Sequence, residues 1–204
     1  TSILGFADIL RLKKDVAESE RQEYASIISE EATRLKVLSS KLLELVTTND
    51  QMLEMRPVSL KALFTDIWQS MQPLLARKKV SLIIKPSDLI LICDKYLISS
   101  MLYNLIDNAY KASFENGMIY LKAYQVDQHT VLEVKDNGRG MSEKTIRHAL
   151  EPFYMEDKAR SRKNGGSGLG LALCAKIADA HHAKLYIESQ LGKGTSIYIE
   201  FRKE

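Results

Sequence analysis

Four stretches of this chain carry residue types that could do chemistry. The first is Asp136-Asn137-Gly138-Arg139-Gly140, which follows a strand-like run. A carboxylate buried at a strand end can accept a hydrogen bond from an exocyclic amine such as adenine N6. Gly138 and Gly140 permit tight turning and close backbone approach. A plain strand–loop–helix turn explains the same residues equally well. The second is Gly165-Gly166-Ser167-Gly168-Leu169-Gly170-Leu171, which opens a helical run. The unpaired amides and positive end of a helix favour phosphate. No Gly-Lys-Ser/Thr follows, so this is not a Walker loop, and a charged loop stands where a dinucleotide fold would need a strand. The third, Gly192-Lys193-Gly194-Thr195, reads by itself as a hairpin turn.

The fourth is a pair of amides on a helix. Asn104 and Asn108 are four residues apart and share a face. The Asn108 amide oxygen suits a hard cation such as Mg²⁺ bridging phosphates. Lys111, one turn on, can meet phosphates as a point charge. The alternative is polar residues on an exposed helix face or a helix-end cap, and Asp107 reads as solvent-facing. Between the first two segments lies Glu156–Gly166, with Lys158, Arg160, Arg162 and Lys163. A charged loop that ends at a phosphate-type helix start reads as a lid. A solvated loop is the alternative.

These residues need elements to hold them. Residues 1–55 contain no proline and only Gly5, and Ile3, Leu4, Ala7, Leu10, Leu35, Leu38, Leu42 and Leu45 recur at helical spacing. The pattern predicts a short helix, a polar connection near Lys13–Glu18, and a long helix capped by Ser19 and running to about Asn49. Two such helices leave apolar surface that a second copy would cover. An intramolecular hairpin packed on the rest is the alternative.

A second part begins at Arg56-Pro57. A helix is expected over Leu60–Lys78, with Pro73 kinking it or marking its breakdown. Strands are expected at Val80–Ile84 and Leu89–Cys93, around a Pro86-Ser87-Asp88 turn. Asp94 then caps a helix through Ala112. Met118–Val126 and Thr130–Lys135 read as a hairpin, Ser142–Ala149 as a short helix and Leu169–Ala180 as a helix. Ala183–Ser189 and Thr195–Phe201 close the chain as a second hairpin. The order lacks a regular βαβ rhythm. It fits an α+β fold, a two-layer α/β sandwich with helices on one face of a mixed sheet, preceded by the helical hairpin. The domains would be 1–55 and 56–204.

Composition narrows the classes. The chain has 204 residues, 45% hydrophobic and 27% charged, as a folded globular protein does. A net charge of +3 without a long basic block argues against nucleic acid as a partner. Two cysteines, Cys93 and Cys174, in apolar surroundings exclude a disulfide scaffold and read as core thiols. No run of 18 apolar residues offers a membrane span, so no membrane contact is expected of this chain.

The asparagine helix, the Asp-x-Gly-x-Gly turn and the Gly-x-Gly-x-Gly helix start occur in that order. Together they resemble the ATP-binding domain shared by sensor histidine kinases, Hsp90 chaperones, type II topoisomerases and MutL-type repair proteins. Sensor histidine kinases are the nearest match. The resemblance implies that Asn108 is the Mg²⁺ ligand and that Asn104 holds the position of a residue assisting phosphoryl transfer. Lys111 would touch phosphate, and Asp136 would bind the adenine amine, with Gly138 and Gly140 shaping the pocket. Glu151-Pro152-Phe153-Tyr154 resembles the phenylalanine motif before the lid, which adds Phe153 and Tyr154 to the ATP site. Gly166, Gly168, Leu169 and Gly170 resemble the second glycine motif. Gly192, Gly194 and Thr195 resemble the last, with Thr195 near the base.

Residues 1–55 resemble the dimerisation and phosphoacceptor hairpin of that family. Thr1–Ala7 matches the stretch that follows its His-Glu-Leu-Arg-Thr-Pro-Leu run, so the acceptor histidine is expected just upstream of Thr1. His129, His148, His181 and His182 do not lie in that context and read as scattered surface or near-surface residues. Met155 stands where many relatives carry an arginine after Pro-Phe-Tyr, and Lys158, Arg160 or Arg162 would take over its contact with phosphate. The implied reaction moves the γ-phosphoryl group of ATP to a histidine and then to an aspartate of a response-regulator receiver domain. A homodimer in the cytoplasm is the expected setting. A non-catalytic ATP-binding interaction module and an anti-sigma-type serine kinase are the alternatives, and a gyrase- or chaperone-type ATPase is a more distant one.

Overall fold

The computed structural model describes residues 2–13, 16–47, 53–85, 87–156 and 167–202. They form two compact units, Thr1–Glu44 and Leu45–Glu204.

The first unit is built from helices α1 (Ser2–Leu12) and α2 (Glu18–Thr47). Their rings meet at Phe6 and Tyr24, stacked with centroids 5.2 Å apart. Helix α2 starts one residue before Ser19, which therefore sits in the first turn instead of capping it. Leu4, Leu12, Leu35 and Leu43 are largely exposed on these helices.

The second unit holds strands β1 (Met55–Ser59), β2 (Ser81–Ile84), β3 (Ile90–Asp94), β4 (Met118–Val126), β5 (His129–Asp136), β6 (Lys184–Gln190) and β7 (Gly194–Arg202). Its helices are α3 (Leu60–Ala76), α4 (Lys95–Ala112), α5 (Glu143–His148) and α6 (Gly170–Ala180). The main sheet has the order β2-β4-β5-β7-β6. Its β2–β4 pair is parallel and the others are antiparallel, so the sheet is mixed.

The alternation of side chains along a strand decides which face is covered. Ile119, Leu121, Leu132, Val134, Ile197 and Ile199 are buried among Phe64, Ile67, Ile98, Leu105, Leu173 and Ile177 of helices α3, α4 and α6. Fully burying a side chain of this size contributes about 1.5–3 kcal/mol. Cys93 and Cys174 are free thiols in this core, as expected. Burial and the nearby Asp94 push the Cys93 thiol up to about 12, so it stays protonated and unreactive.

Three features depart from the expectations. Strands β2 and β3 do not pair with each other. β2 joins the main sheet through β4, while β3 pairs antiparallel with β1 in a separate two-stranded sheet. The sequence signal for β1 was hidden because Pro57, which weakens a strand reading, lies inside it. Helix α3 runs through Pro73 without breaking. Its apolar face, anchored by Phe64, Ile67, Met71 and Leu75, outweighs one missing hydrogen bond. Finally, His181 is buried, not a surface residue.

Candidate nucleotide site

Helix α4 carries the amide pair. It starts at an N-cap in which Asp94 Oδ1 accepts from the backbone N–H groups of Tyr96 and Leu97, at 3.0 and 3.1 Å. Asn104 is buried, and its amide donates to Ser100 O at 2.9 Å. That bond leaves its oxygen turned toward helix α6. A Cβ added to Gly170, the first residue of α6, would lie 3.4 Å from Asn104 Oδ1 and 3.4 Å from Asn108 Nδ2. The two amides and the start of α6 therefore occupy one place.

Helix α6 opens without a side-chain cap. Its N-cap is Leu169, fully buried, whose side chain makes no capping bond. The first-turn N–H groups have no side-chain acceptor from the cap and present the positive helix end. Just before them, Gly168 O accepts from Phe153 N–H at 2.8 Å, fastening the start of α6 to the segment after α5.

Lys111 is held one turn past Asn108. Its ammonium pairs with Asp107 Oδ2 at 2.7 Å, and both side chains are about a quarter exposed. Asp107 is thus an ion-pair partner and not simply solvent-facing.

The Asp136 turn lies against the end of the same helix. Asp136 is 5% exposed, and its Oδ1 accepts from Gly138 N–H at 2.8 Å. Burial raises its pKa above the usual carboxylate value, while the Gly138 and Thr195 backbone donors and the Arg139 charge pull it down. Two glycines are needed here. A Cβ on Gly138 would fall 2.5 Å from Ala112 O, and one on Gly140, at φ +67°, would fall 2.0 Å from Gln190 O. The turn is clamped between helix α4 and strand β6 on both sides.

Arg139 is a site residue to which sequence reasoning gave no role. Its guanidinium donates to Lys111 O and its backbone N–H donates to Ala112 O at 3.1 Å. It satisfies carbonyls at the C-terminal end of α4 and brings a positive charge toward Asp136. The signal was a cation inside a tight turn, but its target lies far away in sequence. Asn137 is a second such residue, with its side-chain oxygen accepting from Met118 N–H at 2.8 Å.

Thr195 is buried directly across from Asp136 in the β5–β7 pair. Phe153 is half exposed, with φ +65°, and Tyr154 stacks on His148 with ring centroids 5.2 Å apart. The structure thus gathers Asn104, Asn108 and Gly170, with Gly168 and Leu169 just before it, at the α4–α6 contact, and holds Lys111 one turn further along α4. It gathers Asp136, Gly138, Gly140 and Thr195 at the adjoining strand ends. Lys158, Arg160, Arg162 and Gly166 lie outside the described residues.

This geometry coincides with a family match. Residues 93–204, from the end of β3 to the last residue, match the histidine kinase-, DNA gyrase B- and HSP90-like ATPase family. The chain belongs to that family. Within it, the chain resembles sensor histidine kinases over both units. It is 32% identical over 190 residues to sensor histidine kinase YkoH of Bacillus subtilis, covering 90% of this chain and 40% of YkoH. It is 33% identical over 196 residues to the alginate biosynthesis sensor protein KinB of Pseudomonas aeruginosa, covering 94% of this chain and 32% of KinB. The chain therefore spans two-fifths or less of the length of these two relatives.

Among solved structures, histidine kinase ThkA in complex with response regulator protein TrrA superposes with a TM-score of 0.76 at 25% identity, covering 99% of this chain and 57% of ThkA. Full-length ShkA in complex with AMPPNP superposes with a TM-score of 0.76 at 23% identity, covering 100% of this chain and 43% of ShkA, which bears on the fold alone. As a histidine kinase-like ATPase domain, the second unit is an ATP-binding domain. Among the described residues, no helix is long and apolar enough to cross a membrane.

Proposed function

We propose that this chain is the catalytic portion of a sensor histidine kinase. It binds Mg-ATP and transfers the γ-phosphoryl group to a histidine, from which the group passes to the aspartate of a response-regulator receiver domain. The observation that carries this reading is the meeting of two unlike surfaces within the family-matched segment. One is a buried carboxylate satisfied by backbone donors, Asp136. The other is an uncapped helix start facing two amides, Gly170 against Asn104 and Asn108. The first suits an exocyclic amine and the second suits phosphates.

The donor set fits Mg²⁺. Asn108, whose side-chain amide lies against the start of α6, is the candidate oxygen ligand at this place. A single amide suits Mg²⁺, which keeps several waters and takes its remaining ligands from substrate phosphates. When bound, the ion supplies charge neutralisation at the phosphates.

Asp136 orients the base by accepting from its amine. The first-turn amides of α6 hold the phosphate chain. Lys111, released from Asp107, adds a positive charge there. Asn104, fixed by Ser100 O, lines the place where the acceptor approaches. Imidazole with one unprotonated nitrogen is already a nucleophile, so positioning and charge are the main demands on the site. Phe153, Tyr154, Lys158, Arg160, Arg162 and Gly166 complete the phosphate end in this reading. Exposed Leu4, Leu12, Leu35 and Leu43 support a homodimer through α1 and α2.

Calorimetric titration of the intact chain with ATP tests the reading. Binding that strengthens with Mg²⁺, and a loss of that strengthening in Asn108→Ala, is the expected result. A chain that binds no ATP in Mg²⁺ would sink it.

A further inference from the structure

Two asparagine–glycine pairs stand in turns, Asn116-Gly117 before β4 and Asn137-Gly138 after β5. A third, Asn164-Gly165, lies outside the described residues. Such a pair can react with itself, because no Cβ shields the glycine nitrogen. Once that nitrogen gives up its proton, it attacks the asparagine side-chain carbon and a C–N bond closes a five-membered imide. The Cγ–Nδ2 bond breaks, and the amide group leaves as ammonia with the proton that the glycine lost. Water then opens the ring at either carbonyl, giving aspartate or isoaspartate. No group is oxidised or reduced. The reaction needs an N–H that can lose its proton and a side chain free to swing onto the nitrogen.

The structure separates the two pairs on both requirements. Gly138 N–H donates to Asp136 Oδ1 at 2.8 Å. A carboxylate that accepts from an N–H opposes loss of that proton. Asn137 Oδ1 is pinned by Met118 N–H at 2.8 Å, and Gly138 is buried against Ala112 O. Asn116 is exposed, with φ +59°. Among the described residues its side-chain amide makes no hydrogen bond. Gly117 N–H donates to Phe114 O, a neutral carbonyl, at 3.2 Å. That is the long end of the N–H···O range.

We propose that Asn116 is a site of spontaneous deamidation, converting to aspartate and isoaspartate, and that the Asp136–Gly138 hydrogen bond spares Asn137 the same fate. Neither step depends on nucleotide. The change at Asn116 reaches the Asp136 turn through the backbone. Gly117 O accepts from Ser81 N–H at 2.9 Å where the parallel β2–β4 pair begins, and the N–H of the next residue, Met118, is the one that holds Asn137. Isoaspartate lengthens the main chain by a carbon just before Gly117, so it displaces both bonds.

The intact, nucleotide-free chain is aged in mildly alkaline buffer with and without denaturant, and peptide mapping by mass spectrometry follows the gain of an amide-to-acid conversion at each pair. In denaturant the Asn116 and Asn137 pairs should convert at similar rates. In the native chain Asn116 should convert at least about tenfold faster than Asn137, the factor by which one pKa unit on the glycine N–H changes the reactive anion. In Asp136→Ala the native rate at Asn137 should rise toward that at Asn116. If this variant does not fold, the native-to-denatured ratio of the wild-type rates carries the test. Equal native rates at the two pairs, or an Asn116 that converts only in denaturant, overturns the inference. Ageing should also lower the melting temperature of the wild type more than that of Asn116→Gln, and an equal decline would overturn the link to the Asp136 turn.

Discussion

Strand β5 buries two carboxylates, three residues apart and on opposite faces of the sheet. Glu133, on the face away from the helices, is 7% exposed and meets the Lys122 ammonium at 3.1 and 3.2 Å. Asp136, on the helix-covered face, is 5% exposed and is held by backbone N–H groups, with Arg139 as its nearby charge but no ion pair. A buried charge is tolerated when it is paired or well hydrogen-bonded. Glu133 takes the first course, which fills its acceptor sites with a cation from the neighbouring strand. Asp136 takes the second, which holds the carboxylate in place and leaves acceptor capacity free for something outside the protein. The difference separates a carboxylate that stabilises the sheet from one placed to read a ligand. The cost of the second arrangement shows in the raised pKa of Asp136.

The contrast is open to four measurements. The largest effect is expected from Asp136→Asn. Replacing a charged acceptor by an amide should weaken ATP by about ten- to a hundredfold in calorimetry, a loss in the range of charged hydrogen bonds. The same variant should melt at a higher temperature without nucleotide, because it no longer buries an ionised group. A lower melting temperature would mean that Asp136 stabilises the fold as Glu133 does.

Acidification should repeat that loss. The folded pKa of Asp136 lies above 3.8, so ATP affinity should fall as pH drops through that raised value and the carboxyl becomes a donor. For the nucleotide-free chain the sign is opposite: the native state holds this proton more tightly, so the Asp136 contribution to stability is fully present below 3.8 and lost as pH rises through the raised pKa. A nucleotide titration series between pH 4 and pH 8 checks the first statement. An affinity independent of pH would remove Asp136 from the base edge.

Third comes Lys122→Ala, which leaves Glu133 buried without its cation. We expect a destabilisation of about 1–3 kcal/mol in denaturant unfolding. ATP affinity should not change, since Lys122 lies on the far face. A loss of ATP binding greater than the loss of stability would erase the distinction between the two carboxylates.

The smallest effect involves His181. Its Nε2 accepts from Asp94 N–H at 3.1 Å and its Nδ1 donates to Ile177 O at 2.8 Å, tying the end of α6 to the start of α4. Burial depresses its pKa below 6.5, against the opposing influence of the Ile177 carbonyl. The neutral ring is therefore the stabilising form. Its contribution is fully present above 6.5 and is lost as pH falls from 6.5 through the depressed folded value. Thermal melts of wild type and His181→Gln should converge on acidification, and parallel profiles would exclude this link.

Much of the site could be read from the chain alone, because local chemistry decides it. The four-residue spacing of Asn104 and Asn108 puts them on one helical face in any fold. Asp94 reads as a cap before Lys95–Ala112, and it caps that helix. Gly138 and Gly140 announce a turn in which backbone passes close to backbone, and Gly140 adopts a positive φ there. The order of these motifs carried the family. Strands and helices that recur without a regular βαβ rhythm pointed to the two-layer fold.

What the tertiary structure alone decided depends on contacts between residues far apart in sequence. Strand β1 exists because β3 supplies its partner, and no local preference of Met55–Ser59 shows this. Arg139 has a role because the end of α4 comes to rest beside it. His181 left the surface because Asp94 offers its backbone N–H to it from another helix start. Thr195 is an ordinary strand residue until register places it against Asp136. Residue type and spacing set which groups can give or take a proton. Only strand register, fixed by which faces are buried, decides which of them meet.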